Sequence, residues 1–297
     1  TKTASKSAIK AVSSEDNGQL FRLVAWFTGS KNARKGAGFF VGGLLLELVG
    51  FVTALWLMAA LIGAIWICGI ALLPRQLGKA KASKSMRELF GKSADVNLLA
   101  AARIFLFGAR DVWFVVGLPV FLYANGWTFI QVGAFLAIWT IGYGFVQAAA
   151  PSCVKRSADG LSSEVPAAQA WSLALVVIPL ILAVLILLPG IPHLDLIVAA
   201  GLSLFGFAFA VNSSLHSYLI LAYAGSEKAA EDVGFYYAAN ATGRLGGILL
   251  SGLLYQIAGM TGCIFGSAAM LAICWLITLM LSKRASLPRR SMSEAAE

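Results

Sequence analysis

The stretch QAWSLALVVIPLILAVLILLP, residues 169–189, decides the fold class. It carries no charge, and its length matches the roughly 20 apolar residues that an α-helix needs to cross the hydrocarbon core of a bilayer. Over all 297 residues, 59% are hydrophobic and 12% are charged, which is about half the charged fraction of a soluble domain. The chain is therefore predicted to lie in a lipid bilayer.

Apolar runs of this length recur along the chain and predict eight transmembrane helices. They lie at residues 22–50, 54–73, 98–123, 127–150, 169–189, 195–223, 232–259 and 262–282. Lys and Arg concentrate in alternate connections, at 1–20, 74–97, 151–168, 224–231 and 283–297. Because the basic connections of membrane proteins are the cytoplasmic ones, we expect both ends of the chain to face the cytoplasm. The predicted class is an all-α polytopic protein of the cell (inner) membrane.

The basic stretch 74–97 separates two predicted helices from the six that follow. A major facilitator protein consists of two six-helix halves joined by a long cytoplasmic loop, so we expect helices 5 to 12 of that fold. The chain starts at Thr1 without an initiator Met and is expected to be a fragment that lacks helices 1 to 4 and does not transport alone. The predicted parts are the end of the N-terminal half at 1–73, the central loop at 74–97, the C-terminal half at 98–282 and a cytoplasmic tail at 283–297.

An internal repeat supports this division. An offset of 209 residues aligns the span 22–50 with the span 232–259, as expected if the two halves of the protein are related. The aligned pairs include Lys35 with Arg244, Gly38 with Gly247, Gly43 with Gly252, and Gly50 with Gly259.

The ionisable residues inside the spans indicate a cavity for an anion. A charge at the centre of a span costs about 3 kcal/mol and usually faces a cavity or a partner. Arg110 and Arg244 each lie 12 residues into a span, roughly 18 Å deep, and Lys35 is expected at the matching depth. Arginine offers a planar fork of donors to phosphate-like oxygens, which favours a polyanionic ligand. The predicted binding residues are Arg110, Arg244, Lys35, Arg34, Lys31, Arg103, Tyr236 and Asn240.

Three further residues are candidates for coupling or charge balance, namely Asp111, Glu47 and His216. Arg110 and Asp111 are adjacent in a helix, so their side chains are expected to point about 100° apart without pairing directly. His216 is expected to be either a hydrogen-bonded core residue or a proton relay. Each cation has an alternative role as an interhelical ion-pair partner, and Tyr236 and Asn240 have an alternative role in packing.

Several other classes of protein are disfavoured. The basic residues lie between apolar runs or at the chain ends, which argues against nucleic-acid binding. The four cysteines form no CxxC pair and have no His nearby, so we expect neither disulfides nor a metal, and no cofactor. No Gly-x-Ser-x-Gly or similar catalytic pattern suggests a membrane enzyme. A channel is a third possibility. The division into two helices followed by six, with charged residues in the inner spans and none in the outer spans 54–73, 169–189 and 262–282, favours alternating access instead.

Four segments resemble a known transporter family. They are GSKNARKGAGFFVGGLL at 29–45, ARIFLFGARDVWFVVGLPVFL at 102–122, VNSSLHSYLI at 211–220 and DVGFYYAANATGRLGGILLSGLLYQ at 232–256. They resemble the ArsJ-type organoarsenical efflux permeases of the major facilitator superfamily. The resemblance implies export of 1-arseno-3-phosphoglycerate, an ester made when glyceraldehyde-3-phosphate dehydrogenase uses arsenate, and hence arsenate resistance coupled to that enzyme. The alternative is a major facilitator antiporter for another organic anion or organophosphate.

Overall fold

A computed structural model describes residues 17–72, 92–224 and 229–282, and it contains no strand within these ranges. The helices are α1 (Asn17–Leu72), α2 (Ala94–Phe114), α3 (Gly117–Ala124), α4 (Phe129–Ala149), α5 (Glu164–Leu187), α6 (Leu194–Tyr223) and α7 (Ala229–Leu279). Within the described residues, six helical stretches are long and apolar enough to cross a membrane. The architecture is that of an α-helical multi-pass membrane protein.

The two longest helices are each divided by a glycine. Gly50 interrupts α1 with φ 73° and ψ 170°, and Gly259 interrupts α7 with φ 60° and ψ −150°, next to Ala258. These backbone conformations are essentially restricted to glycine. In α7 the chain folds back after the break, because Cys263 Sγ lies 3.6 Å from the carbonyl oxygen of Ser251. Both breaks fall where the sequence predicts that a span ends.

The predicted span at 98–123 lies within one apolar helical stretch, Ala94–Ala124, and a short turn between α2 and α3 interrupts this stretch. Pro119 lacks a backbone N–H, and in a continuous helix its ring would clash with the carbonyl of Val115. The helix ends at Phe114 and restarts at Gly117. The backbone N–H of Gly117 instead donates to Ser251 Oγ on α7 at 3.1 Å, so the turn leaves this buried donor satisfied.

Three predicted spans contain no Lys, Arg, Asp, Glu or His, and they form much of the apolar surface. They are 54–73, 169–189 and 262–282. Trp56, in the second part of α1, is 73% exposed, and Ile181 of α5 is 56% exposed. Large exposed side chains of this kind suit contact with lipid. The core lies among α2, α4, α6 and α7, where Trp113, Phe205 and Phe209 are fully buried.

Glycines set the closest contacts between helices. A Cβ atom at Gly243 of α7 would overlap the carbonyl of Ile104 on α2, and one at Gly247 would overlap the carbonyl of Gly108. Such small residues let membrane helices approach until their backbones touch. The resulting α2–α7 crossing places Arg244, between these two glycines, beside the turn of α2 that follows Gly108.

The connection between α4 and α5 is held by two carboxylates. Asp159 accepts hydrogen bonds from the backbone N–H groups of Leu161 and Ser162, at 3.1 and 3.0 Å. Hydrogen bonds from Ser157 and then from Ser162 hold the pKa of the Asp159 carboxyl well below its usual range, because they stabilise its ionised form. Glu164 accepts a hydrogen bond from the Ser157 N–H at 3.0 Å, which fixes the start of α5.

Candidate functional site

A cavity of about 230 Å³ lies among α1, α2, α4 and α7. Three of these helices each supply one cation to its wall, whereas α4 supplies none. The lining residues are Lys35, Phe39, Arg110, Phe114, Val115, Leu136, Trp139, Thr140, Tyr143, Arg244 and Ile248. Lys35, Arg110 and Arg244 therefore meet at one cavity, which is the arrangement that their depths in the sequence predict.

Asp111 pairs with both arginines but does not itself line the cavity. Its side chain is fully buried, and Oδ1 accepts a hydrogen bond from Arg110 Nε at 2.7 Å. Its other oxygen, Oδ2, accepts from Arg244 Nε at 2.8 Å. This contact joins Asp111 to α7, and its role in charge balance or coupling stays a prediction.

The expectation that Arg110 and Asp111 do not pair is wrong. The 100° separation applies to the directions in which the two side chains leave the helix. An arginine side chain is long enough to curve back along the helix surface, and Arg110 Nη2 also lies 2.6 Å from Asp111 Oδ1. Burial of the carboxylate makes this contact favourable, because an unpaired charge there would be costly.

The arginines keep donors that Asp111 does not use. Arg244 contacts the carboxylate through Nε, so its two Nη groups are not engaged by Asp111, and its side chain is 41% exposed. Arg110 is 12% exposed and lies near three aromatic rings, those of Phe107 at 4.8 Å, Phe209 at 5.5 Å and Phe114 at 5.8 Å. Cation–π attraction to these rings helps to hold the guanidinium in place. Asp111 thus orients two guanidinium groups whose remaining N–H groups can bind an oxyanion.

Arg103 lies in a separate buried cluster. Its Nε donates to Asn240 Oδ1 at 3.2 Å, and its Nη1 donates to the carbonyl oxygen of Ser213, also at 3.2 Å. The ring of Tyr236 lies 4.8 Å from the guanidinium carbon, and Phe107 lies at 4.0 Å. Arg103 therefore contacts both Tyr236 and Asn240, and none of the three lines the cavity. Their predicted role in substrate binding stays a prediction.

The remaining sequence candidates are dispersed. His216 is fully buried on α6, and neither ring nitrogen has a hydrogen-bond partner among the described residues, so the expected hydrogen-bonded core histidine is not observed. Glu47 is exposed on α1, 12 residues beyond Lys35, and it interacts electrostatically with Tyr123 of α3. Lys31 and Arg34 belong to α1, but their side chains lie outside the described residues.

Sequence reasoning missed the α4 side of the cavity. This side consists of Leu136, Trp139, Thr140 and Tyr143. The signal was a polar stripe in an otherwise apolar span, because Thr140, Tyr143 and Gln147 recur at helical spacing. The hydroxyl of Tyr143 donates to Ser213 Oγ at 3.2 Å, which ties this stripe to α6.

In the described ranges, no group of three His, Cys, Asp or Glu side chains is arranged to hold a metal ion. No protein-family model matches the chain, and no curated protein is significantly similar to it. The charges and the shape of the cavity are therefore the observations that bear on its ligand.

Proposed function

We propose that this chain belongs to a secondary transporter of the major facilitator type, which exports an organic oxyanion from the cytoplasm by alternating access. In this proposal the eight predicted helices are helices 5 to 12 of the fold, and both chain ends face the cytoplasm. The division of α1 and α7 at Gly50 and Gly259, 209 residues apart, supports two related halves.

The observation that carries the proposal is the convergence of Lys35, Arg110 and Arg244 on one cavity in the apolar part of the protein. Arg110 and Arg244 share the single buried carboxylate of Asp111, so these three groups together carry a net positive charge beside the cavity. Charged groups in a membrane span are costly, and a bound anion would offset that cost. Arginine and lysine both bind phosphate-like groups, arginine through two parallel hydrogen bonds.

The substrate that we propose is 1-arseno-3-phosphoglycerate, whose export would confer arsenate resistance. The resemblance to organoarsenical permeases supports this choice. The cavity also has apolar and aromatic walls, including Phe39, Phe114 and Trp139, which suit a ligand with a carbon skeleton better than a bare inorganic ion. Another organic anion or organophosphate would fit the same chemistry, and antiport of such an anion by a major facilitator protein is the alternative function.

Arg244→Lys tests the proposed site. Lysine keeps the positive charge but has no planar fork, and its single ammonium group cannot both contact Asp111 as Arg244 does and bind a ligand oxyanion bidentately. A charged hydrogen bond contributes about 1.5–3 kcal/mol, so we expect at least a tenfold loss of apparent affinity at normal membrane abundance. The measurement is uptake of 1-arseno-3-phosphoglycerate by the whole transporter in everted vesicles over a range of concentrations, with 3-phosphoglycerate as competitor.

Arg22→Lys is the matched control, because Arg22 is exposed on α1, 13 residues before Lys35. It should transport with the affinity of the unmodified protein. Unchanged affinity in Arg244→Lys would remove Arg244 from the binding site. Uptake of 3-phosphoglycerate in preference to the arsenic ester would favour the alternative function.

A further inference from the structure

Thr140 has a buried hydroxyl group without a hydrogen-bond partner among the described residues. The residue is 7% exposed, and its Oγ1 neither donates nor accepts a hydrogen bond there. A polar group left unpaired away from water costs about 1–3 kcal/mol. A membrane helix has little access to water that would compensate such a group. The Thr140 hydroxyl is therefore expected to be satisfied by something that enters the site.

Two other threonines in helices of this protein behave differently. Thr278 donates to the carbonyl of Cys274 at 2.7 Å, and Thr242 donates to that of Ala238 at 3.1 Å. This bond to the carbonyl four residues earlier is the usual way for Thr in a helix to satisfy its hydroxyl. Thr140 makes no such bond, so its hydroxyl has no hydrogen-bond partner in the described residues.

The position of Thr140 connects this hydroxyl to the cavity. Of the buried polar side chains without a partner in the described residues, Thr140 is the one that lines the cavity. It lies on α4, whose residues 129–149 contain no Lys, Arg, Asp, Glu or His, whereas the cations come from the other three helices. One part of the wall therefore suits an oxyanion, and another part offers a neutral donor and acceptor.

We propose that Thr140 determines substrate specificity by hydrogen-bonding a neutral polar group on the carbon skeleton of the anion, such as a hydroxyl. This inference rests on the proposed function and specifies its substrate class, a hydroxylated organic oxyanion. A bare phosphate or arsenate ion that occupies the cationic wall would leave the Thr140 hydroxyl unpaired. The cavity would thus select an ester over the inorganic ion, because the ester satisfies both parts of the wall.

Thr140→Val provides the test, because valine has nearly the shape of threonine without the hydroxyl. The probes are 3-phosphoglycerate, which carries a hydroxyl beside its carboxylate, and the phosphate ester of 3-hydroxypropionate (3-phosphopropionate). The second probe differs from the first only in lacking that hydroxyl. Both dissociation constants are measured by isothermal titration calorimetry on the purified protein. A neutral hydrogen bond contributes about 0.5–1.5 kcal/mol. We therefore expect the Kd of 3-phosphoglycerate to rise about three- to tenfold, while that of 3-phosphopropionate does not change.

Thr140→Ser is the matched control, since it keeps the hydroxyl and should retain the preference for 3-phosphoglycerate. An equal change for both probes, or no change for either, would overturn the role of Thr140 and leave the proposed function intact. Failure of the unmodified protein to bind either probe would instead overturn the organophosphate site, and this inference with it. Thermal unfolding of each variant separates loss of binding from loss of folding.

Discussion

The α2–α7 and α1–α4 crossings both bring a cation to the cavity, but the room that they leave at their facing glycines varies from one position to the next. In α2–α7, the backbones meet so closely that Gly247 has no room for a Cβ atom against Gly108. In α1–α4, a Cβ atom at Gly43 would lie 3.4 Å from the Cα atom of Gly133, which is ordinary van der Waals contact. Glycine is thus required at position 247 and tolerated at position 43. The α1–α4 crossing has its own tight position at Gly36, where a Cβ atom would lie 2.7 Å from the carbonyl oxygen of Ala137.

The crossings also differ in charge. Arg244 reaches the cavity from α7 and pairs with the buried Asp111 of α2. Lys35 reaches it from α1, whose neighbour α4 has no Lys, Arg, Asp, Glu or His. Close approach of helices therefore does not by itself require an ion pair between them. The buried carboxylate serves to orient the arginines, and we expect the α2–α7 crossing to be the more sensitive of the two to mutation.

The largest effect is expected from Asp111→Asn. The substitution leaves Arg110 and Arg244 without their shared carboxylate, and loss of one partner from a buried ion pair costs about 3–5 kcal/mol. Because Arg244 is 41% exposed, we expect a loss near the lower end, about 3 kcal/mol in the free energy of unfolding. Denaturation of the purified protein in detergent with increasing sodium dodecyl sulfate measures it.

Glu47→Gln is the matched control for this change, since it removes an exposed carboxylate from α1. It should alter the free energy of unfolding by less than about 0.5 kcal/mol. The double variant Asp111→Asn with Arg244→Gln should be more stable than Asp111→Asn alone, because it carries one unpaired cation fewer. Equal losses from Glu47→Gln and Asp111→Asn would contradict the contrast between the crossings.

A smaller effect is expected from Gly247→Ala. The added methyl group would meet the backbone of Gly108, so α2 and α7 must separate, at a cost of about 2 kcal/mol for overpacking. Gly43→Ala should cost less, because the helices facing it leave room. Gly246→Ala is the control, since no atom lies within 4 Å of its added methyl group. Thermal unfolding followed by size-exclusion chromatography ranks the three, and a Gly43→Ala protein less stable than Gly247→Ala would reverse the comparison.

The smallest effect is expected at the glycines that divide α1 and α7. Gly50→Ala and Gly259→Ala meet no neighbouring atom within 4 Å, so their cost is backbone strain alone, about 1 kcal/mol each. Gly63→Ala, in a helical part of α1 with open space, should be neutral or slightly stabilising. Thermal unfolding should therefore give similar losses at positions 50 and 259. A loss at only one of them would argue against equivalent breaks in the two helices.

Hydrophobic runs predicted most helix positions because the bilayer sets their length. The run 195–223 matches α6, Leu194–Tyr223, and the run 127–150 contains α4, Phe129–Ala149. The start of α2 at Ala94 was missed by four residues, because Ser93 caps the helix by accepting a hydrogen bond from the Val96 N–H. Hydropathy is insensitive to such polar contacts. It is equally insensitive to the break before Pro119.

Depth along a helix predicted the meeting of Lys35, Arg110 and Arg244, because each residue adds a fixed rise. Depth does not give the rotation of one helix against another, so the contact between Arg103 and Asn240 could not be derived from the sequence. The long, flexible side chain of Arg110 likewise made its contact with Asp111 impossible to predict from the sequence. Thr140 lies in a span without Lys, Arg, Asp, Glu or His, so no charged residue marks it as part of the site in the sequence.

Synthesis of the chain imposes an order on the contacts of Asp111. Arg244 follows Asp111 by 133 residues, so at about 5–20 residues per second it leaves the ribosome roughly 7 to 27 s later. Of the two arginines, only Arg110 is present while α2 enters the bilayer, where an uncompensated charge costs about 3 kcal/mol. The Arg110–Asp111 contact thus accompanies the newly made helix into the membrane, and the contact with Arg244 is added when α7 arrives.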